Sequence, residues 1–264
     1  PDITIPLFLR KFSVPYWGLA FAFKRNARYW HRLECSLGRM SLLATTISDS
    51  HLLPSHLAAD EKIAFLNGEQ LPLAMITAQN CVLAVEPSES LKQEDLQKSY
   101  QIFKTEAHQI DSSYSPKTVN LDGWDASWNA WKTLFPKIII IRCFLHLYLT
   151  LRKIFTQKQV EAYEQVSDKL WYCYHAFTKG SFSQRVRRVF SWSQKMKGII
   201  PKKMLDVLNK MYKHRDKYSV AYDYEGAYRT SNQVDRLMQR LEKKLYDMKY
   251  FKGTIETARL HIRG

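Results

Sequence analysis

Four consecutive isoleucines, Ile138 to Ile141, constrain the fold more than any other stretch. A strand with one wet face alternates apolar and polar residues, whereas an unbroken β-branched run belongs to a strand buried on both faces. Burial on both faces calls for helices on each side of a sheet, so the chain is expected to be a layered α/β protein.

The residues upstream fit that expectation. His56 to Ile63 carries Leu57, Ala59 and Asp60 and reads as a strand. Asn67-Gly68 follows, a strong signal for a tight hairpin. Leu71 to Ala78 reads as a second strand, Gln79-Asn80 as a turn, and Cys81 to Val85 as a third strand. Ser90 is placed to cap a helix, with Gln93 in the capping-box position. Leu96, Tyr100, Phe103 and Ala107 recur at helical spacing and give that helix one buried face. Thr118 to Leu121 is a fourth strand, ending at Asp122, and a short helix with Trp128, Trp131 and Leu134 runs to Pro136. The order β-β-β-α-β-α-β is the plan of the ribonuclease-H-like fold, a mixed five-stranded sheet flanked by helices.

The flanks are helical. The reading divides the chain into an N-terminal helical segment (1–50), the sheet region (51–146), a helical basic insertion (147–225) and C-terminal helices (226–264). The last helix begins near Ser231, with Val234, Leu237, Met238, Leu241, Leu245 and Met248 as its apolar stripe. In the first segment Asn26 is a candidate cap, and Lys24, Arg25, Arg28, Arg32 and Arg39 suit either a helix-turn-helix on DNA or a packing appendage. A chain that starts at Pro1 and ends at Gly264 just after a periodic segment is expected to be a fragment of something longer.

Charge narrows the partners. Lys and Arg number 40 against 25 Asp and Glu, a net charge of +15. An excess that large favours a polyanion, with nucleic acid first and an anionic membrane second. Twelve Lys and Arg against two acids, Asp206 and Asp216, fall between Lys179 and Lys217, with aromatics interleaved. Lys and Arg neutralise phosphates and aromatics stack on bases. Arg185, Arg187, Arg188, Lys195, Lys197, Lys202 and Lys203 are therefore candidate DNA contacts. The alternative is a set of amphipathic helices with a solvated charged face. Phe135 to Leu151 is too interrupted by Pro136, Lys137, Arg142 and His146 to span a membrane. Cys35, Cys81, Cys143 and Cys173 lie far apart without framework spacing, which fits a reduced, intracellular setting and, if the chain is bacterial and acts on DNA, a cytoplasmic, nucleoid-associated one.

Two acids sit where such a sheet brings strands together. In a ribonuclease-H-like sheet the first and fourth strands are parallel neighbours, so Asp60 and Asp122 can face each other across one strand spacing, about 4.8 Å. Two such anions repel unless a cation lies between them. Hard divalent cations prefer carboxylate oxygens. Asp235, near Asn232 in the first turn of the last helix, is the third candidate, although an acid there also suits the helix dipole. Two Mg²⁺ or Mn²⁺ ions in such a cage activate an attacking oxygen and stabilise a leaving one at phosphorus. Asp125 would replace Asp122 if the strand ended later.

The stretches A-A-D-E-K (58–62), F-L-N-G (65–68), N-L-D-G-W with F-P and C-F-L-H, and R-T-S-N-Q-V-D-R-L-M (229–238) resemble, in order, the transposase core of bacterial insertion sequences. These are DDE-type enzymes on a ribonuclease-H-like domain, and the spacing from the acid to the Cys-His pair is similar to that of Mutator-like transposases. The resemblance implies that Asp60, Asp122 and Asp235 hold the metals and that His146, Asn232 and Arg236 touch DNA. It implies hydrolysis at the element's ends, attack of the freed 3′-hydroxyl on target DNA, and a homodimer or higher oligomer on DNA, with no membrane and no small-molecule substrate. Asp235 stands where most of the family carry Glu. The 112 residues between Asp122 and Asp235 imply a helical insertion within the catalytic domain. A resolvase-like or ribonuclease-like nuclease, or a DNA-binding protein without catalysis, are the competing readings. Cys143 and His146, with Cys173 and His175, also have metal-like spacing for zinc; the alternative keeps Cys143 as a core residue and His146 near the active site.

Overall fold

The structure, a computed structural model, describes residues 3–10, 12, 14–239 and 253–264. Its sheet has the order β3-β2-β1-β4-β5. Strands β1 (His56–Leu66), β2 (Glu69–Ala78) and β3 (Cys81–Pro87) form an antiparallel meander. β4 (Thr118–Leu121) pairs in parallel with β1, and β5 (Ile139–Arg142) in parallel with β4. The chain is thus α/β, with a mixed five-stranded sheet flanked by helices.

Turn chemistry sets the meander. Asn67 and Gly68 have φ of 53° and 85°, the two left-handed residues of a tight hairpin whose twist matches the strands. Gln79 and Asn80 repeat the geometry, with φ of 51° and 61°. Neither is glycine, and the second turn is held from outside: the Gln79 amide donates to the Tyr228 hydroxyl at 2.8 Å and the Asn80 amide to Gln233 Oε1 at 3.3 Å.

Alternation along β1 sorts its side chains between two layers. Leu57 and Ala59 face α5 (Gln93–Ile110) and α6 (Asp125–Leu134), whose Tyr100, Phe103 and Trp131 fill the core on that side with α4 (Leu42–Thr46). Ala58 faces the opposite layer, where it meets Val234, Leu237 and Met238 of α12, a helix described over 232–239. The expected stripe positions Leu241, Leu245 and Met248 lie outside the described residues. Strand limits differ slightly from the sequence reading. β5 starts at Ile139, which is half-buried, while Ile138, Ile140 and Ile141 are buried. Ser90 does not cap α5. Its hydroxyl donates to Asp95 Oδ2 at 2.7 Å and accepts from the Lys92 amide at 3.1 Å, and the helix starts at Gln93 with Lys92 in the cap position.

Five helices lie between β5 and α12: α7 (Leu145–Ile154), α8 (Val160–Tyr174), α9 (Lys179–Lys195), α10 (Lys202–Lys213) and α11 (Arg215–Ser219). They bury their own core, including Leu151, Val166, Leu170, Phe182, Val186 and Met211. At the N-terminus come α1 (Thr4–Arg10), α2 (Tyr16–Phe23) and α3 (Ala27–Leu37), with Asn26 Oδ1 capping α3 by accepting from the Tyr29 amide at 2.7 Å. α3 packs on α13 (Ile255–Arg263) so closely that a Cβ at Gly38 would stand 2.0 Å from the Leu260 carbonyl oxygen. Buried Glu34 of α3 accepts from Arg10 Nε at 3.0 Å and from the Tyr16 hydroxyl at 2.5 Å. The apolar side of α3 therefore serves packing, while Lys24, Arg25, Arg28, Arg32 and Arg39 stand exposed. Among the described residues no helix is long and apolar enough to cross a membrane.

Candidate functional site

Asp60 lies on the α12 side of β1, two residues after Ala58. Asp122 is the first residue beyond β4, at the C-terminal end of a strand paired in parallel on both sides. His146, in the first turn of α7, stands between them: its Nε2 is 3.6 Å from Asp60 Oδ2 and 3.7 Å from Asp122 Oδ2. Asp235 of α12 faces the same cavity, a space of about 560 Å³ that Asp60, Glu61, Lys62, His146 and Asn232 also line. Asp125 begins α6 instead, because β4 ends at Leu121.

Burial raises the Asp60 pKa well above the usual carboxylate range; Glu61, Asp235 and Asp122 add like-charge repulsion, and the Glu61 amide, donating to Oδ1 at 2.9 Å, offsets part of it. Burial also raises Asp235, against the pull of His146 and Lys62. For His146 burial works the other way and would lower the pKa, but the Cys143 thiol and the carboxylates of Asp122 and Asp235 outweigh it, so the net shift is upward. A protonated His146 is thus the cation that this group of acids favours.

The chain that returns from the helices to α12 locks the site. The Phe144 amide donates to the Arg229 carbonyl at 3.0 Å and Asn120 Nδ2 to the Tyr228 carbonyl at 3.0 Å. The Ser231 amide donates to Cys143 Sγ at 3.1 Å, and the Ser231 hydroxyl reaches Asp60 Oδ2 at 3.5 Å. Arg229 is clamped between the rings of Tyr174 and Tyr222, with its guanidinium carbon 4.5 and 4.6 Å from their centroids. Cys143 is therefore a buried joint between β5 and the start of α12. Cys173 is buried in the helical core, and His175 Nδ1 meets the Trp171 carbonyl at 2.9 Å.

Two residues of the site were not singled out by the sequence reading. Glu61 points into the α5 layer, where it accepts from the Tyr100 hydroxyl at 2.7 Å and the Ser127 hydroxyl at 2.6 Å. Period-two alternation places it on the face of Leu57 and Ala59, and a carboxylate on an apolar face was the available signal. Ser231 is the other; its role depends on a fold-back that no local pattern reveals.

Donor chemistry and geometry bear separately on a metal. Asp60 and Asp235 on one cavity, with Asp122 beside the same His146 nitrogen as Asp60, are the hard oxygen donors a divalent cation takes. As placed, however, they do not form a closed cage: among the described residues no group of three or more His, Cys, Asp or Glu side chains is positioned to hold a metal ion, at these acids or at Cys143, His146, Cys173 and His175.

The other candidate contacts divide. Arg187, Arg188, Lys195, Lys197, Lys202 and Lys203 are exposed on α9, the following turn and the start of α10. Arg187, Arg188 and Lys195 border one shallow depression with Trp192. Arg185 is engaged within the fold, standing 4.7 Å over the Tyr172 ring and donating to its carbonyl at 2.7 Å. Asn232 and Arg236 are exposed on α12. A larger cavity of about 710 Å³, at the turn from Lys197 to Lys202, shares no lining residue with the carboxylates. Trp128 packs on the core and donates from Nε1 to the Asp122 carbonyl at 2.7 Å, while Trp124 is exposed. In comparison with known proteins, no family model matches the chain and no curated protein matches its sequence.

Proposed function

We propose that the chain is a DNA transposase catalytic core, a metal-dependent nuclease and strand-transfer enzyme of the DDE type on a ribonuclease-H-like sheet. The observation that carries the reading is the placement of Asp60 and Asp122 at adjacent parallel strands, 3.6 and 3.7 Å from one nitrogen of His146, with Asp235 on the same cavity. Asp60 and Asp235, whose pKa values burial raises, line one cleft, and acids perturbed in this way are a usual mark of a functional site. The strand order and the helices between Asp122 and Asp235 agree with a core interrupted by an insertion.

Asp60, Asp122 and Asp235 supply the oxygen donors that Mg²⁺ or Mn²⁺ would take if their side chains closed around it. Such ions, when bound, activate an attacking oxygen and stabilise the leaving one at phosphorus. The chain's own parts have separable tasks. Ser231 and the Glu61 amide fix the Asp60 carboxylate from two sides. His146 balances the negative charge while it carries a proton. The exposed cations of α9 and α10 offer a surface for the phosphate backbone of DNA. Oligomeric action on paired ends belongs to the same reading.

The test is nicking of supercoiled plasmid DNA in Mg²⁺, with EDTA and with Asp122→Asn as controls. The reading expects nicking that EDTA abolishes and that Asp122→Asn loses while retaining DNA affinity. Nicking that survives in Asp122→Asn removes Asp122 from the site, and nicking that survives EDTA removes the metal.

A further inference from the structure

Arg142 is the last residue of β5 and only 9% exposed. Among the described residues its guanidinium makes no hydrogen bond, ion pair or ring contact. That is costly, because a guanidinium stays charged at every pH a protein tolerates and a buried unpaired charge is unfavourable. Its nitrogens are not among the sealed polar atoms that lack a partner, so they open towards the surface. An arginine held in place, charged, open to the surface and without a partner among the described residues is preorganised to take an anion from outside the chain.

Its seat is specific. A Cβ at Gly123 would lie 1.9 Å from one terminal nitrogen of Arg142 and 2.3 Å from its guanidinium carbon. Gly123 has no positive φ, so the turn itself does not demand glycine; what glycine supplies is room for the guanidinium. Gly123 directly follows Asp122 and donates its amide to that carboxylate. The unmatched cation is thus built against the backbone of the acid's own turn. Its surroundings are basic. Burial lowers the His214 pKa, and Arg142, Lys213 and Lys210 lower it further, against a pull from Asp125. Lys217 is exposed, with its nitrogen 5.2 Å from the centroid of the Trp128 ring, and Trp128 in turn bonds the Asp122 carbonyl.

We propose that Arg142, seated on Gly123, binds a phosphodiester of a nucleic acid strand running past Asp122, with Lys217 as a second cation on the same path. A planar guanidinium takes a phosphate through two parallel hydrogen bonds, which fixes orientation as well as charge. The inference rests on the reading of the site as one that acts on DNA, and adds the contact that sets the backbone beside the carboxylates.

The test is fluorescence anisotropy of a fluorescein-labelled DNA duplex in EDTA across a salt series. Compared are the unaltered chain, Arg142→Gln and Gly123→Ala, which leaves the charge but displaces it. Arg142→Gln is expected to weaken binding and reduce the slope of log affinity on log salt by about 0.9, the loss of one phosphate contact. Gly123→Ala is expected to weaken binding severalfold. Without DNA, Arg142→Gln is expected to melt at or above the unaltered chain, since an unmatched buried charge has been removed. Unchanged affinity and slope in Arg142→Gln overturn the inference even if plasmid nicking succeeds. So does a lowered melting temperature with unchanged DNA binding, which makes Arg142 a residue of the fold. So does Arg142-dependent binding to phosphatidylserine vesicles without any to the duplex. Loss of slope in a chain that nicks nothing leaves this contact standing and removes the nuclease reading alone.

Discussion

Asp60 and Glu61 are consecutive in β1, yet they serve opposite layers: Asp60 meets Ser231 and His146 on the α12 side, and Glu61 meets Tyr100 and Ser127 on the α5 side. One peptide thus ties the open cavity to the closed core. The Glu61 backbone amide also donates to the Asp60 carboxylate at 2.9 Å, which fixes that side chain against the peptide joining the two residues.

Tyr100→Phe removes one of the two hydroxyl donors to the Glu61 carboxylate without changing the packing volume. Hydrogen bonds to buried charged groups are worth about 2 kcal/mol, so a loss of stability of that size is expected in urea unfolding. A change near zero would show that the Tyr100 bond to Glu61 does not stabilise the folded chain.

Asp60→Asn is expected to stabilise the metal-free protein. The folded pKa of Asp60 is raised, by burial first and then by Glu61, Asp235 and Asp122. For a raised acid, the stability is fully present below the unfolded value, about 4, and is lost as pH rises through the folded value. Asparagine escapes that loss. The gain over the unaltered chain is therefore about 1 kcal/mol near pH 8 and shrinks towards zero as pH falls to about 4. Unfolding in EDTA at several pH values measures it, and a gain independent of pH would contradict the assignment.

Gly38→Ala tests the contact between the two ends of the described chain. The added methyl would overlap the Leu260 carbonyl, a backbone atom that cannot swing aside. Overpacking of this kind costs about 1–3 kcal/mol. Thermal unfolding is expected to show it as a lowered melting temperature.

The sheet was legible because each of its signals is local. Asn67-Gly68 fixes a turn by backbone conformation, and the isoleucine run fixes burial by composition. Asp122 at the tip of β4 followed from where the apolar run stops. Ser90 misled because the helix starts at Gln93 with Lys92 at its cap, so the Ser90 hydroxyl meets the Asp95 carboxylate and the Lys92 amide rather than an amide of the first turn. Ser231 and Arg142 were opaque for another reason. Each acts through a partner distant in sequence or a missing partner, and neither condition leaves a period. Whether DNA is the substrate is decided by the binding and nicking experiments above.

The helices α7–α11 stand between β5 and α12. During synthesis, Asp60 and Asp122 emerge early, and Ser231 and Asp235 only after that whole segment has been made. Domains fold as units while the chain grows, so the sheet can pair long before its last carboxylate arrives. The side chains around the Asp60 cavity therefore come together only when the last-made part of the chain folds back onto the first-made sheet.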